Sequence, residues 1–180
     1  MAKRITKVTT KTGDDGTTGM ADGSRLSKSS ELISAIGEID ELNSWIGLLA
    51  TSSNLKKEKV LLRKIQNDLF DIGGCLAMRS ENGLQDGKIE WLEEKANELN
   101  RELPSLDNFI LPGGHEDSSK AQIIRAVCRR SERALVLASK TESINMNCVI
   151  YINRLSDFLF VLARKINIDS GEEEILWKQT

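Results

Sequence analysis

Five stretches of this chain repeat apolar residues at alternating spacings of three and four. The stripes are Ala35-Ile39-Leu42-Ile46-Leu49, Leu62-Ile65-Leu69-Ile72-Leu76 and Ile89-Leu92-Ala96-Leu99-Leu103. A weaker fourth runs through Ile124, Cys128, Ser131, Leu135 and Ala138, and a fifth through Cys148, Ile152, Leu155, Leu159, Leu162 and Ile166. This spacing keeps side chains on one face of a helix, and no alternating strand pattern competes with it. The expected fold class is therefore all-α, a five-helix bundle. With 180 residues, one domain has enough chain to bury a core without disulfides or a metal.

The residues between the stripes act as punctuation. Ser29 or Ser30 is placed to cap the first helix, and Gly83 and Gly87 bracket a break before the third. Pro104 is expected to end the third helix, because proline lacks the next backbone donor. Leu111-Pro112-Gly113-Gly114 marks a tight connection, after which Asp117 or Ser118 would cap the fourth helix. The expected organisation is a single domain: a polar Gly/Thr-rich segment over 1–30, a helical bundle over 31–168, and an acidic tail over 169–180. Glu172-Glu173-Glu174 in that tail is expected to be solvated.

Charge and composition exclude several classes. Lys and Arg total 25 against 27 Asp and Glu, so no global basicity asks for nucleic acid. Four Phe, three Trp and one Tyr are too few for a base-stacking surface. A single histidine, His115, removes two-histidine metal sites, and it is expected to be a loop histidine. Cys75, Cys128 and Cys148 lie within or beside apolar patterns and read as buried reduced thiols. The opening Met-Ala-Lys-Arg-Ile-Thr-Lys lacks an apolar targeting region, and no run is read as spanning a membrane, so a cytoplasmic location is expected.

Several residues are misplaced for a plain bundle. Arg125, Arg129 and Arg133 follow i, i+4, i+8 spacing, with Arg130 and Glu132 among them. Like charges so spaced repel, whereas guanidinium forks suit phosphate oxygens. A solvated basic face or an ion-pair network is the plainer alternative. Asn153 and Asp157 flank the fifth stripe one turn apart, and a satisfied buried amide would explain the asparagine equally well. Asp40, beside the first stripe, is a candidate partner for one of the arginines. Thr10-Lys11-Thr12-Gly13-Asp14-Asp15-Gly16-Thr17-Thr18-Gly19 offers glycines, hydroxyls and a lysine suited to an anion-binding nest, but it is not a Walker loop. Phe109-Ile110, before the Pro-Gly-Gly turn, reads locally as a hydrophobic plug.

Taken in order, these elements resemble the PduO-type family of ATP:cob(I)alamin adenosyltransferases over nearly the whole chain. The matching pieces are Thr10-Lys11-Thr12-Gly13-Asp14-x-Gly16, Lys28, Asp40-Glu41-Leu42-Asn43 and Gln66-x-x-Leu69-Phe70-x-x-Gly73. Phe109-Ile110-Leu111-Pro112-Gly113-Gly114, Arg125-x-x-x-Arg129-Arg130-x-Glu132-Arg133 and Asn153-Arg154-Leu155-Ser156-Asp157 complete them. The resemblance implies a homotrimer with active sites at subunit interfaces. It implies that Thr10, Lys11, Thr12, Gly13, Thr18, Gly19 and Lys28 contact ATP. Arg129, Arg130, Glu132, Arg133 and Asn153 would complete the ATP site. Asp40 would pair with Arg129 across the interface, Phe109 would help exclude the lower axial ligand of the corrin, and Asp157 is a lesser site candidate. Residues 29–36 depart from the family, where Asp-Asp and then an arginine and a tyrosine are common.

The implied reaction moves the 5′-deoxyadenosyl group of ATP to the cobalt of cob(I)alamin and releases triphosphate, with Mg²⁺ on the phosphates. A cobalt reductase or an adenosylcobalamin-dependent enzyme would be a protein partner. The alternatives are a non-catalytic bundle that carries or senses nucleotide or corrinoid, an enzyme that cleaves ATP at phosphorus, and a purely structural bundle.

Overall fold

A computed structural model of the chain describes residues 9–80 and 83–179. The charged N-terminus read above, over 1–7, lies outside the described residues. Five helices carry the described fold: α1 (Glu31–Leu49), α2 (Lys59–Ala77), α3 (Lys88–Asn100), α4 (Glu116–Ala138) and α5 (Met146–Asp169). Ahead of them β1 (Thr17–Gly19) and β2 (Arg25–Ser27) form an antiparallel hairpin, with Thr18 opposite Leu26. The polar segment is thus not wholly loop. Its tip contains Asp22-Gly23, a turn pair in which Gly23 takes φ 86°. Met20 is buried, and the Ala21 N–H donates to the Ala77 carbonyl at 3.0 Å, docking the hairpin on the end of α2.

The five stripes become the core. Every named position of the first, second, fourth and fifth is buried. The fourth, weakest in sequence, is as dry as the others because α4 lies between α1 and α5. In α3 only Leu92 is buried, since that helix packs along α5 at the edge of the bundle. It also stops at Asn100, one turn before Pro104, so Leu103 falls outside it. By length and composition α5 could cross a membrane, with 24 residues and an 18-residue window of mean hydropathy 1.3, against the expectation of no such run. In the bundle 61% of that window is buried. A helix apolar on most sides belongs at the centre of a core.

A polar network crosses this core between α2, α3 and α5. The Tyr151 hydroxyl donates to Asp68 Oδ2 at 2.9 Å, and Lys88 Nζ lies 2.7 Å from Asp68 Oδ1. Asp68 is only 3% exposed, and Lys64 Nζ, 3.6 Å from Oδ2, adds a third partner to this buried carboxylate. Burial alone would lower the Lys88 ammonium, yet the Asp68 and Asp71 carboxylates hold it above its ordinary value.

Helix ends follow the expected chemistry with one correction. Ser30 caps α1, its Oγ accepting from the Ile33 N–H. The cap of α4 is His115, not Asp117 or Ser118: Nδ1 accepts from the Asp117 N–H at 3.1 Å. Gly114, at φ 89°, turns the chain so that the imidazole meets the helix end. Asp117 points inward and accepts from Ser52 Oγ at 2.6 Å and Asn54 Nδ2 at 3.2 Å. Burial alone would raise the Asp117 carboxyl, but these donors and Lys120 hold it below the ordinary 3.8.

Gly114 is a position where glycine is required. A Cβ there would lie 2.4 Å from Asn167 Oδ1, which accepts the His115 N–H at 3.0 Å. Gly114→Ala should destabilise the chain by about 2–3 kcal/mol, from left-handed strain and disrupted hydrogen bonds. Gly171→Ala, at φ 71° in open space, should cost about 1 kcal/mol. Urea midpoints of the two variants check the difference, and equal midpoints would contradict it.

Candidate active site: an arginine ridge between two clefts

The 10–28 segment is built around Gly13. Lys11 has φ 61° and Gly16 φ 83°, so the chain curls tightly here. A Cβ at Gly13 would lie 3.0 Å from the Thr17 carbonyl and 3.1 Å from Lys28 Nζ. Lys28 donates to the Gly13 carbonyl at 2.7 Å, bringing its ammonium onto the loop 15 residues earlier in the chain. Arg25 Nη2 donates to the Thr12 carbonyl at 2.5 Å, while its Nε donates to Thr17 Oγ1 at 3.0 Å. Thr10 and Thr12 share a hydroxyl contact at 3.0 Å. Thr18 and Gly19 lie on β1. The structure therefore assembles Thr10, Lys11, Thr12, Gly13 and Lys28 into one cationic, hydroxyl-rich curl. Arg25, which sequence reading passed over, ties it to the hairpin; the Asp22-Gly23 turn was the available signal.

The arginines of α4 divide between two faces. Arg130 turns to α1, donating from Nε to Glu38 Oε2 at 2.6 Å and from Nη2 to Glu41. Hydrogen bonding to Glu38 and then Glu41 raises the Arg130 guanidinium, and the same contact to Arg130 lowers Glu41. Ser131 joins the seam from its buried position, its Oγ lying 3.0 Å from the Glu38 carbonyl. Arg129 and Arg133 face outward, exposed, and neither meets a carboxylate among the described residues. With Glu132 and Val136 they line a cleft of about 320 Å³. Asn153, on α5, donates to Glu132 Oε1 at 2.9 Å and accepts from Arg154 Nη1 at 2.8 Å. Arg154 in turn binds Glu93 of α3 at 2.6 Å. Asn153 is thus the satisfied amide and a neighbour of the arginine cleft at once. Asp157 is exposed on α5.

Arg125 continues the ridge toward a second cleft. Its guanidinium sits 5.9 Å from the Phe160 ring, and Nε donates to Gln122 Oε1 at 2.9 Å. Burial, with the nearby Arg129 charge, lowers the Arg125 guanidinium below its ordinary value. Phe160, Leu106, Asp107, Asn108 and Phe109 line a cleft of about 390 Å³. Phe109 is 78% exposed, so it is not the hydrophobic plug of the local sequence reading. From Arg125 to Arg133 the helix rises roughly 12 Å. Cationic groups on α4 therefore lead from the Phe109 cleft to the Arg129 and Arg133 cleft.

Two further placements bear on the site. Asp40 is exposed, and its carboxylate has no partner among the described residues. It borders an apolar groove of about 470 Å³ between α1 and α2, lined also by Ile33, Ile36, Leu69, Phe70 and Gly73. The acidic tail is solvated at Glu172 and Glu173 but not at Glu174, whose side chain is 12% exposed and binds Arg164. No hydrogen bond or ion pair among the described residues joins the 10–28 curl to the outward arginines.

Comparisons with known proteins identify the family. The family model for cobalamin adenosyltransferases matches residues 8–166. A cobalamin adenosyltransferase of Cupriavidus metallidurans is 47% identical over 99% of this chain and 98% of its own. The corrinoid adenosyltransferase of Bacillus subtilis is 39% identical over 97% of this chain and 93% of its own. Among solved structures, a Phe-to-Ala variant of the PduO-type ATP:corrinoid adenosyltransferase of Lactobacillus reuteri, complexed with cobalamin and ATP, superposes with a TM-score of 0.91. It is 35% identical, and the match covers 96% of this chain and all of that one. With a family model over most of the chain and relatives matched end to end, this protein belongs to the PduO-type cobalamin adenosyltransferase family.

Proposed function

We propose that this chain transfers the 5′-deoxyadenosyl group of ATP to the cobalt of cob(I)alamin, giving adenosylcobalamin and triphosphate, on the ridge that joins its two clefts. The observation that carries the site assignment is the pair Arg129 and Arg133, outward and with no carboxylate partner among the described residues, on the same helix as Arg125, which stands over Phe160 of the Phe109 cleft. Cobalt(I) is itself a strong nucleophile, so the protein needs neither a base nor a covalent nucleophile. Its tasks are to align the 5′ carbon with cobalt and to stabilise charge on the departing triphosphate.

In this reading Arg129 and Arg133 take the triphosphate, with Mg²⁺ arriving on the nucleotide. Thr10, Lys11, Thr12, Gly13, Thr18, Gly19 and Lys28 wrap the nucleotide. Glu132 and Asn153 close the site from the helices, and Arg130 braces it through Glu38 and Glu41. Phe109 stands against the corrin and disfavours its lower axial ligand. The chain acts as a homotrimer in the cytoplasm, the curl of one subunit completing the arginine cleft of the next. Asp40 pairs with Arg129 across that interface. Support for the assembly comes from three features among the described residues: a curl with no bond to the outward arginines, an Asp40 carboxylate with no partner, and the apolar groove beside it.

Arg133→Ala should lower turnover by about 3 kcal/mol of barrier, on the order of a hundredfold, because it removes a preorganised donor at developing charge. The trimer should persist in light scattering; dissociation would make Arg133 an assembly residue. Asp40→Ala should reduce both trimer formation by sedimentation and the rate of adenosylcobalamin formation. Normal assembly with full activity would refute the interface pair.

A further inference from the structure

Phe109 has to act from an unusual position. Most of its ring is exposed, so core packing does not fix it. What borders it is the C-terminal segment. Trp177 N–H donates to the Phe109 carbonyl at 2.7 Å, and Leu111 N–H donates to the Ile175 carbonyl at 2.8 Å. Asn108 Nδ2 adds a bond to the Trp177 carbonyl at 2.8 Å. The Trp177 and Phe109 rings meet edge to face, with centroids 6.4 Å apart and planes inclined by 63°. Residues 108–111 are thus paired, backbone and side chain, to residues 175–177.

The segment is anchored just before it reaches the loop. Arg164 of α5 is 4% exposed and presents Nε to Glu174 Oε1 at 2.9 Å and Nη2 to Oε2 at 3.0 Å. The same Nη2 donates to the Pro104 carbonyl at 2.9 Å, at the start of the stretch leading to Phe109. A bidentate guanidinium–carboxylate pair with this little exposure has a narrow geometry, and breaking it leaves a buried charge. One buried arginine therefore ties together the segment that leads to Phe109 and the segment that pairs with it.

We infer that residues 174–177 are a latch for the transfer reaction: Glu174, through Arg164, and Trp177 are positioning residues that hold Phe109 at the angle from which it meets the corrin. The inference rests on the assignment of Phe109 to the corrin. It gives the Glu172-Glu173-Glu174 run a divided role, solvated at its first two positions and mechanical at the third.

The test compares the intact enzymes Glu174→Gln, Trp177→Ala, Trp177→Phe and Phe109→Ala. Three quantities are read: hydrogen exchange at the Leu111 amide, the fraction of bound cob(II)alamin lacking its lower ligand with ATP present, and kcat against KM for ATP. Glu174→Gln should speed Leu111 exchange, and both it and Trp177→Ala should lower kcat and the ligand-free fraction by about tenfold, the scale of a slightly misplaced group. KM for ATP should stay within about twofold, since no ATP contact is touched. Trp177→Phe should restore most of the ligand-free fraction. Should Glu174→Gln fail to fold, Trp177→Ala and its phenylalanine counterpart decide alone. A normal ligand-free fraction in Trp177→Ala, with a large loss in Phe109→Ala, would overturn the latch while leaving the Phe109 assignment standing. A normal fraction in Phe109→Ala would overturn both, and would locate the error in Phe109.

Discussion

Guanidinium groups stacked one turn apart on α4 repel each other, and the rest of the bundle holds them in place. The repulsion costs a few tenths of a kcal/mol per pair. Against it stand the buried positions of the same helix, Ile124, Cys128, Leu135 and Ala138 among them, with a large buried side chain contributing about 1.5–3 kcal/mol. Burial wins easily, so α4 can carry an unfavourable charge pattern on its outer side. The α1 seam then sets its rotation: Ser131 reaches the Glu38 carbonyl and Arg130 takes two carboxylates. Arg130 is neutralised internally, whereas Arg129 and Arg133 meet no carboxylate among the described residues, so adjacent arginines differ in how their charge is compensated.

The same separation explains why no catalytic triad is needed. The reacting nucleophile belongs to the substrate, so the protein's contribution is alignment and charge. In the proposed site, Arg125 at Phe160 and Arg133 at the other cleft would mark the ends of that alignment on one rigid helix. A helix suits that proposed task, because its fixed rise sets the separation between the side chains along it to within a rotamer.

Much of this was legible from residues alone. The stripes foretold all five helices, since apolar periodicity reports directly on which face is buried. The outward placement of Arg129 and Arg133 was legible because their spacing broke a local rule on α4. Misses came where tertiary contacts overrode local sequence. His115 caps α4 because Gly114 turns the chain, an effect outside any capping pattern. The third stripe looked as strong as the first, yet helix position in the bundle left only Leu92 dry. Glu174 is indistinguishable from Glu172 and Glu173 until Arg164 is placed beside it. Arg25 and Phe160 lie in no unusual pattern of their own and gain meaning only from the loop and cleft they touch.

Where ATP is cleaved separates adenosyl transfer from phosphoryl transfer. Anaerobic incubation of the enzyme with Mg-ATP and chemically reduced cobalamin, with the corrin followed by its visible spectrum and the phosphates separated, measures this directly. Adenosylcobalamin and triphosphate should appear in equal amounts. Release of ADP and phosphate, or bound ATP with no change at cobalt, would contradict transfer along the arginine ridge.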